Sequence, residues 1–368
     1  HHFIGCDLNL VYKRLREKYP NVEFTDCYMN PIMRKSGLTP DQLMRRQLYS
    51  LLDKQDLDLK SVNIIGNNLK TDDDSELVKI IKENGFTLRE VPRTKTYDEY
   101  KEMGKAFLNI TYNPAAIEAG RYLEKKLGQK HLYLPLSYGF DEIEKTLDTL
   151  CENLGIEKID FSSNKQQALD ALKKAKEVIG DTPIEIDYTL TLRPASLARL
   201  LLENGFNVVS IYEDCFAGEE EEDFKWMQEN YPNLKIYATV HVKMRFVNRK
   251  RDEKLLALGQ KAAYFTGSNN FVNIIEGGGM YGFSGIIKLC DLMIDAFLNE
   301  KVPENTMKSE FLIPVVTDEL IKEGKAMVKL LSSNEKWFGV TYQEDKPGVK
   351  AGIKALVDKG LYPSDLWK

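Results

Sequence analysis

The chain has 368 residues, 43% of them hydrophobic, and a formal net charge of -5. That length exceeds what one hydrophobic core usually holds, so two or three domains are expected, and the acidic balance leaves no electrostatic footprint for nucleic acid. No apolar run approaches the roughly 18 to 20 residues of a membrane span, and no signal peptide is expected, because His1 and His2 lead straight into Phe3-Ile4-Gly5.

Phe3-Ile4-Gly5 reads as a strand end, Asp7 as a cap, and Leu8, Val11, Tyr12 and Leu15 as the inner face of a helix. A domain rarely begins at such a point, so residues 1–59 read as a partial N-terminal α/β domain. Within it, 22–27 is predicted as a strand, and a helix runs from Thr39 or Pro40 to Leu52, its start favoured by Pro40 and Asp41. Residues 60–155 form a second predicted domain: strand 62–66, helix 75–84, strand 86–91, helix 97–104, strand 106–111, helix 115–127, strand 131–134 and helix 140–154.

A third domain, 156–300, repeats the scheme. After a linking helix at 165–179 come strand 183–188, helix 194–204, strand 206–212, helix 223–231, strand 234–240, helix 252–258 and strand 262–266. Short strands alternating with helices imply crossover connections and parallel sheets. The predicted class is therefore α/β, with two to three doubly wound, Rossmann-like domains. Glu83-Asn84-Gly85-Phe86 recurs as Glu203-Asn204-Gly205-Phe206, each ending a helix and entering a strand, with the glycine suited to the left-handed position that stops a helix. Residues 301–368 are expected to form a helical extension packing on the body or on a partner.

Residues 271–297 read as a strand, a glycine loop and a helix. Gly277, Gly278 and Gly279 permit close backbone approach, Ser284 suits an N-cap, and Ile286, Ile287, Cys290, Met293, Ile294 and Phe297 share one face. A helix start behind bare amides suits an anionic ligand; the alternative is a tight connection that packs closely. In open parallel sheets ligands bind beyond the carboxyl ends of the strands. Those loops are 67–68, 112–113, 135–139, 189–193, 213–215, 241–245 and 267–270. Arg193, Lys243 and Arg245 could clamp a carboxylate or phosphate.

Cys6, Cys27, Cys151, Cys215 and Cys290 are odd in number and scattered, which argues against a disulfide framework and for a reducing, cytoplasmic setting. Cys215 follows a strand and is a candidate soft metal ligand, or else a half-buried apolar residue. Cys6 and Cys27, at the ends of the first two predicted strands, could converge on a metal, whereas Cys151 and Cys290 fall on apolar helical faces. His241 is the one histidine in a strand-end loop. The chain has no Gly-x-Ser-x-Gly elbow, P-loop or Gly-x-Gly-x-x-Gly fingerprint, so ATP or a dinucleotide bound in the standard way is not expected.

Several segments together resemble the component 1 family of nitrogenase and nitrogenase-like reductases, which includes cofactor-assembly scaffolds and dark-operative protochlorophyllide reductases. Phe3-Ile4-Gly5-Cys6-Asp7-Leu8-Asn9 looks like the family's Ile-Gly-Asp-Asp-Leu element, Asn63-Ile64-Ile65-Gly66-Asn67 like the strand and loop opening its middle domain, and Gly282-Phe283-Ser284-Gly285 like its Gly-Tyr/Phe-x-Gly loop. Two positions depart from the pattern. Where the catalytic nitrogenase subunit carries a cofactor-ligating histidine before that loop, this chain has Tyr281, and Cys6 stands where the family has an aspartate.

The resemblance implies a subunit of a nitrogenase-like reductase or scaffold, holding an iron–sulfur cluster, metallocofactor, tetrapyrrole or other reducible ligand. It also implies a homologous subunit in a homo- or hetero-oligomer and a separate ATP-hydrolysing iron–sulfur reductase. The expected cofactor-binding residues are then Gly277, Gly278, Gly279, Tyr281, Gly282, Arg193 and His241, with Cys27, Cys215 and Cys6 as metal candidates. Two alternatives stand beside it: a non-catalytic carrier of the same fold without clusters, and a two-domain glycosyltransferase.

Overall fold

A computed structural model of the chain describes residues 7–27, 36–214, 216–246, 254–301, 313–329, 331–332, 337–339 and 343–365. Helix α1 (Leu8–Lys18) starts where the Asp7 carboxylate accepts the Leu10 amide at 3.0 Å. Its predicted inner face is not buried, and Val11 is 40% exposed. Residues 22–27 join neither sheet, contrary to the predicted strand. Side chains hold that segment instead, Thr25 bonding Ser50 and Asp26 accepting from Gln47. Helix α2 (Pro40–Leu48) opens with a Thr39–Gln42 capping box. The strand end read at residues 3–5 lies outside the described residues.

The first sheet follows. Its elements are β1 (Asp58–Ile64), α3 (Glu76–Glu83), β2 (Thr87–Arg89), α4 (Tyr97–Lys101), β3 (Ala106–Thr111), α5 (Ile117–Leu127) and β4 (Lys130–Tyr133), with strand order β2-β1-β3-β4 and every pairing parallel. Val62, Ile64, Leu108 and Ile110 point to one side and are fully buried, each worth about 1.5–3 kcal/mol of transfer from water. The opposite side is also buried but amide-rich. Asn63 donates to Asn109 (2.8 Å) and to Met103 O, and Asn109 donates to Gln129 (2.9 Å), so the amide donors are paired while Asn63 Oδ1 has no partner among the described residues.

Helices α6 (Phe140–Leu154) and α7 (Ser162–Ile179) lead to the second sheet. There β5 (Ile184–Asp187), α8 (Pro194–Glu203), β6 (Val208–Tyr212), α9 (Glu221–Asn230), β7 (Lys235–Tyr237), β8 (Leu256–Leu258), α10 (Gln260–Thr266) and β9 (Phe271–Val272) give the parallel order β7-β6-β5-β8-β9. Two predictions exchange places: 256–258 is a strand and 260–266 a helix. Leu256, Ala257 and Leu258 have no polar face, so between β5 and β9 they are buried on both sides, and so short an apolar run has no readable period. The repeated Glu-Asn-Gly-Phe motif behaves as expected. Gly85 (φ 75°) and Gly205 (φ 76°) are left-handed, and the Phe86 and Phe206 amides reach back to Ile81 O (3.1 Å) and Leu201 O (2.9 Å).

Two further helices, α11 (Ile274–Gly277) and α12 (Gly282–Leu298), complete this part. One apolar core joins both sheets through α3, α6, α7, α8 and α12. The chain divides into two units, His1–Val302 and Pro303–Lys368; the second contains α13 (Ile313–Lys322) and α14 (Asp345–Asp358). Among the described residues no helix is long and apolar enough to cross a membrane.

Candidate functional site

At the carboxyl ends of β1, β3, β4 and β5, four loops meet the segment before α12 and line a cleft of about 410 Å³. The first sheet contributes Asn67, Asn68 and Leu69, then Tyr112 and Asn113, then Leu136 and Tyr138. The second sheet contributes residues 188–192, opposite Ile274, the three glycines and Met280, while Asp41 and Arg45 of α2 close one end. This is the position where parallel α/β sheets bind ligands.

Buried carboxylates hold the walls. Glu90, fully buried, accepts from Thr71 N (3.0 Å), Thr71 Oγ1 (2.9 Å), Asn67 Nδ2 (3.1 Å) and Arg93 Nε (3.0 Å), and so pins the loop after β1. The Thr71 hydroxyl also meets the Tyr112 hydroxyl at 3.1 Å. Burial holds the Tyr112 phenol above its ordinary range and pushes Tyr138, whose hydroxyl donates to Thr191 at 2.9 Å, up to about 12. On the second sheet Asp187 accepts the Thr189 and Ala262 amides, both at 2.6 Å, and burial raises its pKa. Lys261 donates to the hydroxyls of Tyr188 and Thr239, and burial lowers its pKa.

The sequence-predicted residues separate into three groups. Gly277, Gly278 and Gly279 line the cleft, and they also pack closely. A Cβ on Gly278 would overlap Leu69, one on Gly279 would overlap Lys70 O, and Gly279 O accepts the Asp72 amide at 2.9 Å. The loop therefore seats one lobe on the other.

Tyr281, Gly282, Arg193 and His241 do not line the cleft. Tyr281 is 2% exposed, donates to Leu134 O at 3.2 Å and packs on Tyr112 with ring centroids 5.1 Å apart. Arg193 is 1% exposed and commits its guanidinium to Leu136 O (3.0 Å), Glu142 (3.3 Å), Glu219 O (3.1 Å) and Asp223 (3.3 Å). It thus joins α6, α8 and α9: both terminal nitrogens are spent within the chain, and Nε, buried without a hydrogen-bond partner among the described residues, lies 4.0 Å from the Glu220 carboxylate. His241 is exposed, its Nδ1 accepting the Lys243 amide. Cys6 and Cys215 lie outside the described residues. Cys27 is exposed at the end of its segment, with its thiol pKa raised by partial burial.

The helix start proposed for an anionic ligand already holds one from the chain itself. Glu76, at the first position of α3, reaches the first turn of α12 and accepts Ser284 N (3.1 Å), Ser284 Oγ (2.9 Å) and Asn164 Nδ2 (3.1 Å). Gly282 (φ 76°) is required there, because a Cβ would overlap the Glu76 carboxylate. Ser284 is consequently a first-turn residue rather than the N-cap, which is Tyr281. Sequence reasoning also missed Arg45. Its only local signal is the i,i+4 pair with Asp41 (3.0 Å), whereas its contacts to Gly66 O and Asn68 come from a distant loop.

A family profile, nitrogenase component 1 type oxidoreductase, matches residues 2–297. The chain belongs to that family. Among solved structures it is similar to nitrogenase Cp1 at pH 6.5, with a TM-score of 0.53 and 12% identity over 89% of this chain and 76% of that one. It is likewise similar to nitrogenase Cp1 at pH 5, with a TM-score of 0.54 and 14% identity over 80% of this chain and 68% of that one. At such identities the likeness concerns the fold. No curated protein matches the sequence.

Family membership raises the question of a metal cluster. Among the described residues no three His, Cys, Asp or Glu side chains gather in a way that could hold a metal ion. Cys151 and Cys290 are buried in the apolar core, and burial pushes the Cys290 thiol up to about 12. The described donor set therefore does not fit a cluster bound by this chain alone.

Proposed function

We propose that the chain is a subunit of a nitrogenase-like reductase, or of a related scaffold, whose cleft between the two sheets receives a reducible ligand, either a metallocofactor or a tetrapyrrole. In this reading it works in the cytoplasm beside a homologous subunit and takes electrons from a separate ATP-dependent iron–sulfur protein. The observation that supports it is the convergence of four strand-end loops and the triple glycine on one cleft in a chain that belongs to this family. Cys6, Cys27 and Cys215 remain the cysteines available to a cluster, which would need further ligands from a second chain. The residues lining the cleft would bind and orient the ligand through amide, hydroxyl and guanidinium donors, and the packed glycine segment would keep water from one side.

One observation favours a second reading, a non-catalytic carrier: the lack of gathered metal-ligating side chains among the described residues. Anaerobic purification of the protein with its partner chain, followed by iron and sulfide analysis and a visible spectrum, separates the two. An iron-bearing, coloured complex is expected on the first reading. A colourless, iron-free complex that still retains a ligand in the cleft would establish the carrier.

A further inference from the structure

The cleft is lined mainly by apolar surface, from Leu69, Tyr112, Leu136, Leu190, Leu192 and Met280. At about 410 Å³ it lies within the range of small-ligand pockets. What distinguishes it is the kind of hydrogen-bonding capacity left over. Asn113 Oδ1 accepts the Ala115 amide at 2.9 Å, and Asn68 Oδ1 accepts from Arg45 at 3.4 Å. Backbone amides and guanidinium groups only donate, so chemistry fixes which end of each side-chain amide is oxygen. Each Nδ2 is then left as a donor with no partner among the described residues.

Arg45 shows the same bias. Its Nε donates to Asp41 at 3.0 Å, one terminal nitrogen serves Gly66 O and Asn68, and the other terminal nitrogen has no partner among the described residues. The Tyr188 hydroxyl accepts from Lys261, which leaves its own hydrogen to give. Among the described residues, Arg45 and Asp41 are the only charged side chains lining the cleft. Asp41 is 40% exposed against 9% for the Arg45 side chain, so the carboxylate is the better screened of the two and the less shielded charge is positive. Apart from the Asn67 carbonyl, the outer face of Asp41 and the remaining hydroxyl and amide-oxygen lone pairs, the side-chain groups left without a partner are donors: Nδ2 of Asn68 and Asn113 and one terminal nitrogen of Arg45.

We propose that the cleft takes an apolar, ring-sized ligand bearing a carboxylate, whose oxygens are received by Arg45, Asn68 and Asn113. This proposal rests on the cleft being the ligand site. A positively charged guanidinium nitrogen with unspent N–H groups, beside the Asn68 and Asn113 amide donors, suits the charge and the two oxygens of a carboxylate better than a neutral carbonyl, while the surrounding leucines and tyrosines take up the ring.

Isothermal titration of the full-length protein with 2-naphthoate and with 2-naphthamide tests it, since the two probes share a ring and differ in the charged group. Naphthoate is expected to bind about tenfold or more tightly than naphthamide. R45M should remove most of that preference, weakening naphthoate by a much larger factor than naphthamide. N68L alters an exposed side chain and should weaken naphthoate by a smaller factor. Equal affinities for the two probes, or naphthoate binding indifferent to both R45M and N68L, would overturn the carboxylate assignment and leave the cleft standing as a site. Binding that survives I274W, which fills the cleft, or no binding of either probe, would instead overturn the cleft reading itself.

Discussion

Removing the Glu76 carboxylate should loosen the start of α12. The group is 4% exposed and accepts Ser284 N at 3.1 Å, Ser284 Oγ at 2.9 Å and Asn164 Nδ2 at 3.1 Å. Hydrogen bonds to a charged acceptor contribute about 1.5–3 kcal/mol, and a partly buried carboxylate at a helix N-terminus adds about 0.3–2 kcal/mol. The Ser284 hydroxyl keeps an alternative acceptor in Tyr281 O at 3.3 Å, so its bond is discounted. E76A is then expected to cost about 3–5 kcal/mol, whereas E76Q, which retains a carbonyl for the Ser284 amide and loses the charge, should cost about 1–2 kcal/mol. G282A should be comparably harmful, because the left-handed backbone disfavours a side chain and the added methyl would meet the same carboxylate. Hydrogen exchange of peptides spanning residues 280–288, read alongside the urea midpoint, measures the local and global parts. Exchange and midpoint unchanged from wild type in E76A would refute the assignment of Glu76 as the cap of α12.

Two further outcomes follow from the buried charges. R193M leaves Glu220, itself 1% exposed, without its nearby guanidinium, and is expected to cost about 3–5 kcal/mol in chemical denaturation, as breaking a buried pair does; a loss below about 1 kcal/mol would show that Arg193 is not needed to join α6, α8 and α9. Burial lowers the Lys261 pKa beneath the ordinary value of about 10.4. The unfolded chain therefore binds that proton more tightly, and stability should rise with pH between the depressed folded value and about 10.4. Denaturation midpoints of wild type and K261M across this alkaline interval should diverge, and parallel profiles would contradict the shift.

The boundaries that were legible depend on local chemistry. β3 and α6 run over the residues expected, since the first is a short, mostly apolar segment between Gly104 and the Asn113-Pro114 turn and the second an amphipathic helix that ends on Gly155. The helix-stopping Asn-Gly pairs are equally local. The exchange of strand and helix at 256–266 was not legible, because a run of Leu and Ala becomes a strand only when β5 and β9 are present to pair with it.

For the site, the sequence by itself determined the fold family, the strand-end loops at 67–68, 112–113 and 189–192, and the glycines that line the cleft. Hydrophobic period and turn residues carry that information within a few neighbours. Only the tertiary structure decided which charged groups are already spent. Arg193 is consumed by carboxylates up to 51 residues away in the chain, and the α12 N-terminus is occupied by Glu76, 208 residues before Ser284. Arg45, a surface-like arginine in its own helix, becomes the cation of the cleft because the loop after β1 folds against it. Whether a charge is free to meet a ligand depends on its long-range partners, and no local pattern encodes them.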